Sequence, residues 1–217
     1  MGSENLLNLV EKSVIGGKFS KLRGRKGEII KILPFLFLLF PCYLGAFEYY
    51  NQVDKYDIYF SKYSKSYFGP DFDWRFFKAQ AIAESRLQPD AESEDGAVGI
   101  MQLLPRTFKH LIRKNPEING DIRKPRCNIE AGIYYDKLLW DEWDADRPFR
   151  DRINFMFASY NAGKNAILEG QQIAMEKGLD PFLWKSIKEV LSLVKGGDSR
   201  ETISYVAEIQ RIRKALR

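Results

Sequence analysis

The residues from Ile32 to Phe47, ILPFLFLLFPCYLGAF, run for sixteen positions without a charged side chain. No other segment restricts the fold as strongly, because such a run finds burial only in lipid or against a partner. With Ile29, Ile30 and Lys31, whose ammonium can reach back to the interface, the stretch reaches nineteen residues, enough to cross a bilayer core of about 30 Å. Lys12, Lys18, Lys21, Arg23, Arg25 and Lys26 precede it, while Glu48, Asp54 and Asp57 follow soon after. The positive-inside rule then predicts a basic cytoplasmic N-terminus over 1–28, one transmembrane helix over 29–47, and the rest of the chain on the outer face. A cleaved signal peptide ending at Leu44-Gly45-Ala46 is the competing expectation, although the 28-residue basic leader is long for one. Lipidation at Cys42 would want a small residue just before it, and Pro41 stands there.

Charge is distributed unevenly. The chain carries a formal +5 over 217 residues, but residues 1–31 hold seven basic and three acidic side chains, so the remaining 186 are only +1. A nearly neutral main body lacks the electrostatic footprint of a nucleic-acid binder, and nucleic acid is not an expected partner. With one His (His110) and two Cys (Cys42 and Cys127), the common multi-His or Cys-rich zinc sites cannot be assembled, and a Ser-His-Asp triad would have to use that one His. No flanking signature supports a thiol protease pair of Cys127 and His110. Residues 48–72, rich in Tyr, Phe, Lys and Asp, read as a juxtamembrane helix or tether that ends at Gly69-Pro70. From Asp73 to Arg217 the pattern is helical, interrupted by stop signals at Pro89, 92–99, Asn115-Pro116, Asn119-Gly120, Pro125, Pro148, 161–163, 178–181 and Gly196-Gly197. The expected domain over 73–217 is therefore mostly α, with a short β-hairpin in 90–104, where Gly and Val concentrate.

The first helix of that domain is expected to start from Asp73 as N-cap and to carry Trp74, Phe77 and Ala81 at 3-and-4 spacing, a stripe that continues to Glu84. A carboxylate on an otherwise apolar stripe loses hydration, which penalises its charged form and raises its pKa, as a general acid requires. Spacing alone leaves open a Glu that points to solvent or is satisfied by an Arg. Four blocks follow in order: Glu84-Ser85; Gly99-Ile100-Met101-Gln102 with Leu103, Leu104 and Pro105; Asn128-Ile129 with Ala131, Gly132 and Tyr134; and 158–163, ASYNAG. A fifth, Glu201-Thr202 with Tyr205-Val206, closes the series. Together they resemble the lytic transglycosylases of the soluble-transglycosylase type, which share the lysozyme-like fold of goose-type lysozyme. The run LDPFLWKSIKEVL, 179–191, is similar to the catalytic module of the membrane-bound murein transglycosylase F group, whose large solute-binding domain is not expected within these 217 residues.

The resemblance implies peptidoglycan glycan strands as substrate and a reaction without metal or organic cofactor. One Glu protonates the glycosidic oxygen between N-acetylmuramic acid and N-acetylglucosamine. As a carboxylate it then takes the proton of the muramic 6-hydroxyl, which closes a 1,6-anhydro ring. By resemblance that Glu is Glu84, and Ser93, Met101, Gln102, Tyr160, Asn161 and Tyr205 contact the sugar or surround the acid. The residues taken alone also admit blander roles: a turn serine for Ser93, core packing for Met101 and Tyr160, a satisfied amide for Gln102, a C-cap for Asn161 and an aromatic on the face of a C-terminal helix for Tyr205. Two alternatives to the transglycosylase remain open at this point, a hydrolytic goose-type muramidase and a non-catalytic wall-binding component of an envelope machine. The location that goes with the first reading is the cytoplasmic membrane, with the domain in the periplasm.

Overall fold

A computed structural model describes residues 49–217, apart from 145, 196 and 197. The expected cytoplasmic segment and transmembrane helix lie outside the described residues. Among the described residues no helix is long and apolar enough to cross a membrane. Eight α-helices are described: α1 (Asp57–Phe68), α2 (Arg75–Ser85), α3 (Pro105–Lys114), α4 (Pro125–Glu142), α5 (Phe149–Ala162), α6 (Lys164–Glu176), α7 (Trp184–Val190), which runs into a 3-10 turn at Leu191–Leu193, and α8 (Ser199–Ala215). Pro105 and Pro125 each sit at the first turn of their helix, where the missing N–H removes no helical bond. Asp198 caps α8 by accepting the N–H groups of Arg200 and Glu201.

The core is built where α1 packs on α4, α2 on α8, and α5 on both α4 and α8. Phe77, Ala81, Ile100, Met101, Ile129, Ile133, Phe155, Phe157 and Ile209 are wholly enclosed. Phe72 and Phe77 stack at 5.4 Å, and Trp140 meets Phe72 edge-on at 5.7 Å. Helix α1 falls inside the segment expected as a tether, yet its Phe60 and Tyr63 are buried. Core packing thus extends N-terminal of Asp73, with Tyr56 buried and Tyr50 and Val53 packed against the core. The buried Lys78 on α2 fastens this junction, donating to the Val53 carbonyl at 2.8 Å and to Asp57 Oδ2 at 2.9 Å. Asp73 does meet the start of α2, its Oδ1 accepting the Arg75 N–H at 3.2 Å, although the helix begins two residues later.

The expected hairpin is reduced to two isolated antiparallel bridges, Glu92 with Val98 and Val98 with Leu103. Backbone at positive φ interrupts any longer ladder at Gly96 (78°), Gly99 (80°) and Gln102 (45°). Gly99 is required twice over, because a Cβ there would also lie 2.6 Å from Asn128 Nδ2.

Candidate active site

Helix α2 ends in a left-handed turn at Arg86 (φ 55°) and Leu87 (φ 63°), and their N–H groups close on Ile82 and Ala81. This stop without glycine leaves Glu84 and Ser85 in the last helical turn. Ser85 is buried, and its hydroxyl donates to the Ile100 carbonyl at 2.8 Å, locking the helix end to the Gly99–Leu103 loop. Glu84 stays half-buried and so retains a face open to solvent. Desolvation pushes its pKa up to about 7, the nearby Glu201 adds to the rise, and the Tyr205 hydroxyl opposes it. Tyr205, from α8, donates to Glu84 Oε1 at 2.5 Å. With Oε1 engaged as an acceptor, Oε2 is left to carry the mobile proton.

The other residues expected from the sequence divide into two groups. Tyr160, at the end of α5, stands in the field of Glu84 and donates to the Met101 carbonyl at 2.7 Å. Burial holds the Tyr160 and Tyr205 phenols well above their usual range, so both remain neutral donors. Asn161 bridges α5 to α8, accepting from the Thr202 hydroxyl at 2.8 Å and donating to Glu201 Oε1 at 3.3 Å. Of the remaining three side chains, Met101 packs on α4, and Gln102 and Ser93 bond back within their own loop. Met101 is wholly buried against Gly132, where an added Cβ would lie 2.7 Å from its Cγ. The Gln102 amide donates back to Gly99 and Ala91 carbonyls at 2.9 and 3.2 Å. The exposed Ser93 accepts the Ala97 N–H within its own turn at 3.0 Å.

Two residues beside Glu84 were not singled out from the sequence. Gln80, one turn earlier on α2, and Asp136, on α4, are both fully enclosed and joined at 3.3 Å. A signal for Asp136 existed: with Ile129, Ile133 and Leu139 it keeps the 3-and-4 spacing of the buried face of α4. Asn128, on the same helix, holds the loop from below. Its Oδ1 accepts the Met101 N–H at 2.7 Å, and its Nδ2 donates to Val98 and Ile122 carbonyls at 2.9 Å each. Cys127 is buried and its thiol is pushed up by that burial, while His110 is exposed. Among the described residues no group of His, Cys, Asp and Glu could hold a metal ion.

Comparison with known proteins matches residues 62–182 to the Transglycosylase SLT domain, more than half of the chain. The chain belongs to that family. Curated relatives include proteins named membrane-bound lytic murein transglycosylase F. That of Desulfosudis oleivorans is 34% identical over 134 residues, covering 62% of this chain and 28% of its own. That of Shewanella halifaxensis is 32% identical over 172 residues, covering 74% and 34%. That of Pseudomonas putida W619 is 28% identical over 226 residues, covering 97% and 44%. The chain therefore spans less than half the length of these relatives. Among solved structures, the 70-kDa soluble lytic transglycosylase of Escherichia coli superposes with a TM-score of 0.58 at 21% identity, covering 75% of this chain and 24% of its own. Its complex with bulgecin A gives 0.55 at 22% identity, covering 75% and 24%. The SLT fold, mostly helical and lysozyme-like, is thus shared in three dimensions, and its helices carry Glu84 and Tyr160.

Proposed function

We propose that the chain is a peptidoglycan lytic transglycosylase that cleaves the β-1,4 bond between N-acetylmuramic acid and N-acetylglucosamine, with Glu84 as both acid and base. The observation that carries this reading is a half-buried Glu84 with its pKa pushed up to about 7 and one oxygen held by Tyr205. At neutral pH a large fraction of such a group is protonated. Its Oε2 proton passes to the glycosidic oxygen as the C1–O bond breaks. The resulting carboxylate accepts the proton of the muramic 6-hydroxyl while O6 bonds to C1, which restores the acid and consumes no water. Tyr160 and Asn161, at the end of α5, and Tyr205, on α8, are assigned to the sugar-facing side, with Gln102 and Ser93 supplied by the loop beneath; the Met101 side chain expected there is wholly buried, and the residue contributes its carbonyl to Tyr160 instead. The test is mass spectrometry of the products from purified wall: 1,6-anhydro-muramic ends support this chemistry, reducing ends point to a hydrolytic muramidase, and no release points to a wall-binding component.

Tyr205→Phe removes the hydrogen bond that favours the charged form of Glu84. A bond to a charged group contributes about 1.5–3 kcal/mol. The alkaline limb of the rate is therefore expected to move upward by about one pH unit or more, with turnover falling about tenfold as Oε1 loses its anchor. A pH–rate profile superimposable on that of the unmodified enzyme would exclude Tyr205 from control of Glu84.

The proposal extends to location. The relatives named above carry "membrane-bound" in their names, and the apolar run 32–47 behind a basic leader supports a single-pass anchor with the domain in the periplasm. Since Tyr50 and Val53 already pack against the core, the connecting segment is short, and cleavage should favour wall close to the membrane. N-terminal sequencing of the mature protein is expected to find Met1 or Gly2 in the membrane fraction; a start at Phe47 in the soluble fraction would make the segment a signal peptide.

A further inference from the structure

Behind Glu84 lies a pair of polar side chains that the proposed reaction does not use. Gln80 and Asp136 are wholly enclosed, and Gln80 Nε2 donates to Asp136 Oδ1 at 3.3 Å. The two atoms left over, Gln80 Oε1 and Asp136 Oδ2, are also buried and have no partner. Both would be acceptors if Asp136 were ionised, and a buried acceptor without a donor costs about 1–3 kcal/mol. One proton resolves both defects. A neutral carboxylic acid and a primary amide are complementary: the N–H of the amide meets the carbonyl of the acid, and the O–H of the acid meets the carbonyl of the amide.

We infer that Asp136 is a protonated carboxylic acid, doubly hydrogen-bonded to the Gln80 amide, and that the pair is a positioning device for Glu84. The inference rests on the proposed role of Glu84. The groups that face Asp136 are Glu84 from α2, Tyr135 from its own helix, Tyr160 from α5 and Tyr205 from α8, all of them acids. Desolvation and the neighbouring Glu84 both disfavour its charged form, so it keeps its proton when Glu84 has released one. The device thereby leaves one negative charge in the site after Glu84 has protonated its substrate. Because Gln80 and Glu84 are four residues apart on α2, their side chains share a face, and fixing the amide fixes the turn that presents the acid.

Infrared difference spectroscopy of the full chain against Asp136→Asn at pH 8 reads the protonation state without reference to activity. A carboxylic-acid carbonyl band in the unmodified protein, absent from the variant, is expected; carboxylate bands alone would overturn the inference. This readout holds even if the wall is not the substrate, so its failure is distinguishable from failure of the transglycosylase reading. Asparagine reproduces the donor and acceptor pattern of the protonated acid, and D136N should keep kcat/KM within about threefold with the alkaline limb in place. Asp136→Leu strands both ends of the Gln80 amide; kcat should fall about tenfold or more with KM nearly constant, and the alkaline limb should move. If D136N loses as much as D136L, Asp136 acts as an anion, and if neither shifts the limb nor lowers kcat, the pair has no hold on Glu84. Should D136L fail to fold, the spectrum and D136N decide.

Discussion

Glu84→Gln is expected to lower turnover by at least about 10², the usual scale of general acid catalysis, while leaving the fold intact. The amide keeps the volume of the side chain, and its carbonyl can still accept from Tyr205, so geometry is nearly conserved and only the transferable proton is lost. The same substitution should stabilise the protein at alkaline pH. The pKa of Glu84 is raised from 4.5 in the unfolded reference to about 7 in the fold. Below 4.5 both states hold the proton and the group is neutral to stability. Between 4.5 and about 7 the unfolded chain releases it first, so stability declines as pH rises through that window. A neutral amide escapes this decline. Allowing for screening by the solvent at its open face, E84Q should be more stable than the unmodified enzyme by about 1–3 kcal/mol at pH 8 and equal to it at pH 4. Thermal melts at the two pH values, run beside a turbidity assay on wall sacculi, read both effects. Activity within a few fold of the unmodified enzyme would remove Glu84 from the mechanism. Equal melting at both pH values would mean that its charge is not buried.

What could be read from the sequence was what lies within one turn or one loop. Glu84 was legible because helical spacing carries it on from Phe77 and Ala81, and the five blocks were legible because the left-handed turns at Gly99 and Gln102 and the close approach of Gly132 to Met101 tolerate few residue types. Their side chains were harder to aim. Met101 and Gln102 sit in a block that reads as site lining, yet their side chains meet Gly132, Gly99 and Ala91, and it is the Met101 carbonyl that reaches Tyr160. Pairings between distant segments left no local mark. Gln80 and Asp136 are 56 positions apart and meet only once α2 and α4 are in place. The segment 48–72 was read as a tether because its Tyr and Lys content hides a short buried face, of which Phe60 and Tyr63 are the core. The hairpin signal in 90–104 was real as a set of turns, but the turns at 93–96 and 99–102 leave no length for a ladder.

Asn128 carries the other large expectation, this one in stability. The residue is about 1% exposed and makes three hydrogen bonds, each to a backbone group: Met101 N–H, Val98 C=O and Ile122 C=O. The Gly99 turn packs directly against the amide, where a Cβ would lie 2.6 Å from Nδ2. Asn128→Ala would leave the Met101 N–H and the Ile122 carbonyl with open ends, and the Val98 carbonyl with only the Leu103 N–H, beside a small cavity. At about 1–3 kcal/mol for each such group, with partial relaxation, the loss should be about 3 kcal/mol or more. For a domain of this size that lowers the melting temperature by roughly 6–12 °C. Activity should fall further than the unfolded fraction explains, because the loop that Asn128 holds supplies the Met101 carbonyl for Tyr160 and the Ile100 carbonyl for Ser85, and Ser85 adjoins Glu84. Asn128→Asp is the sharper control: it keeps the Met101 bond but turns an acceptor toward the Val98 and Ile122 carbonyls, so it should destabilise at neutral pH and recover in part as acidification returns a donor. Melting of N128A and N128D across pH 4–8 tests this. If N128A melts within a degree or two of the unmodified protein, the loop is held by its own turns and by Ser85, and the clamp assigned to Asn128 is wrong.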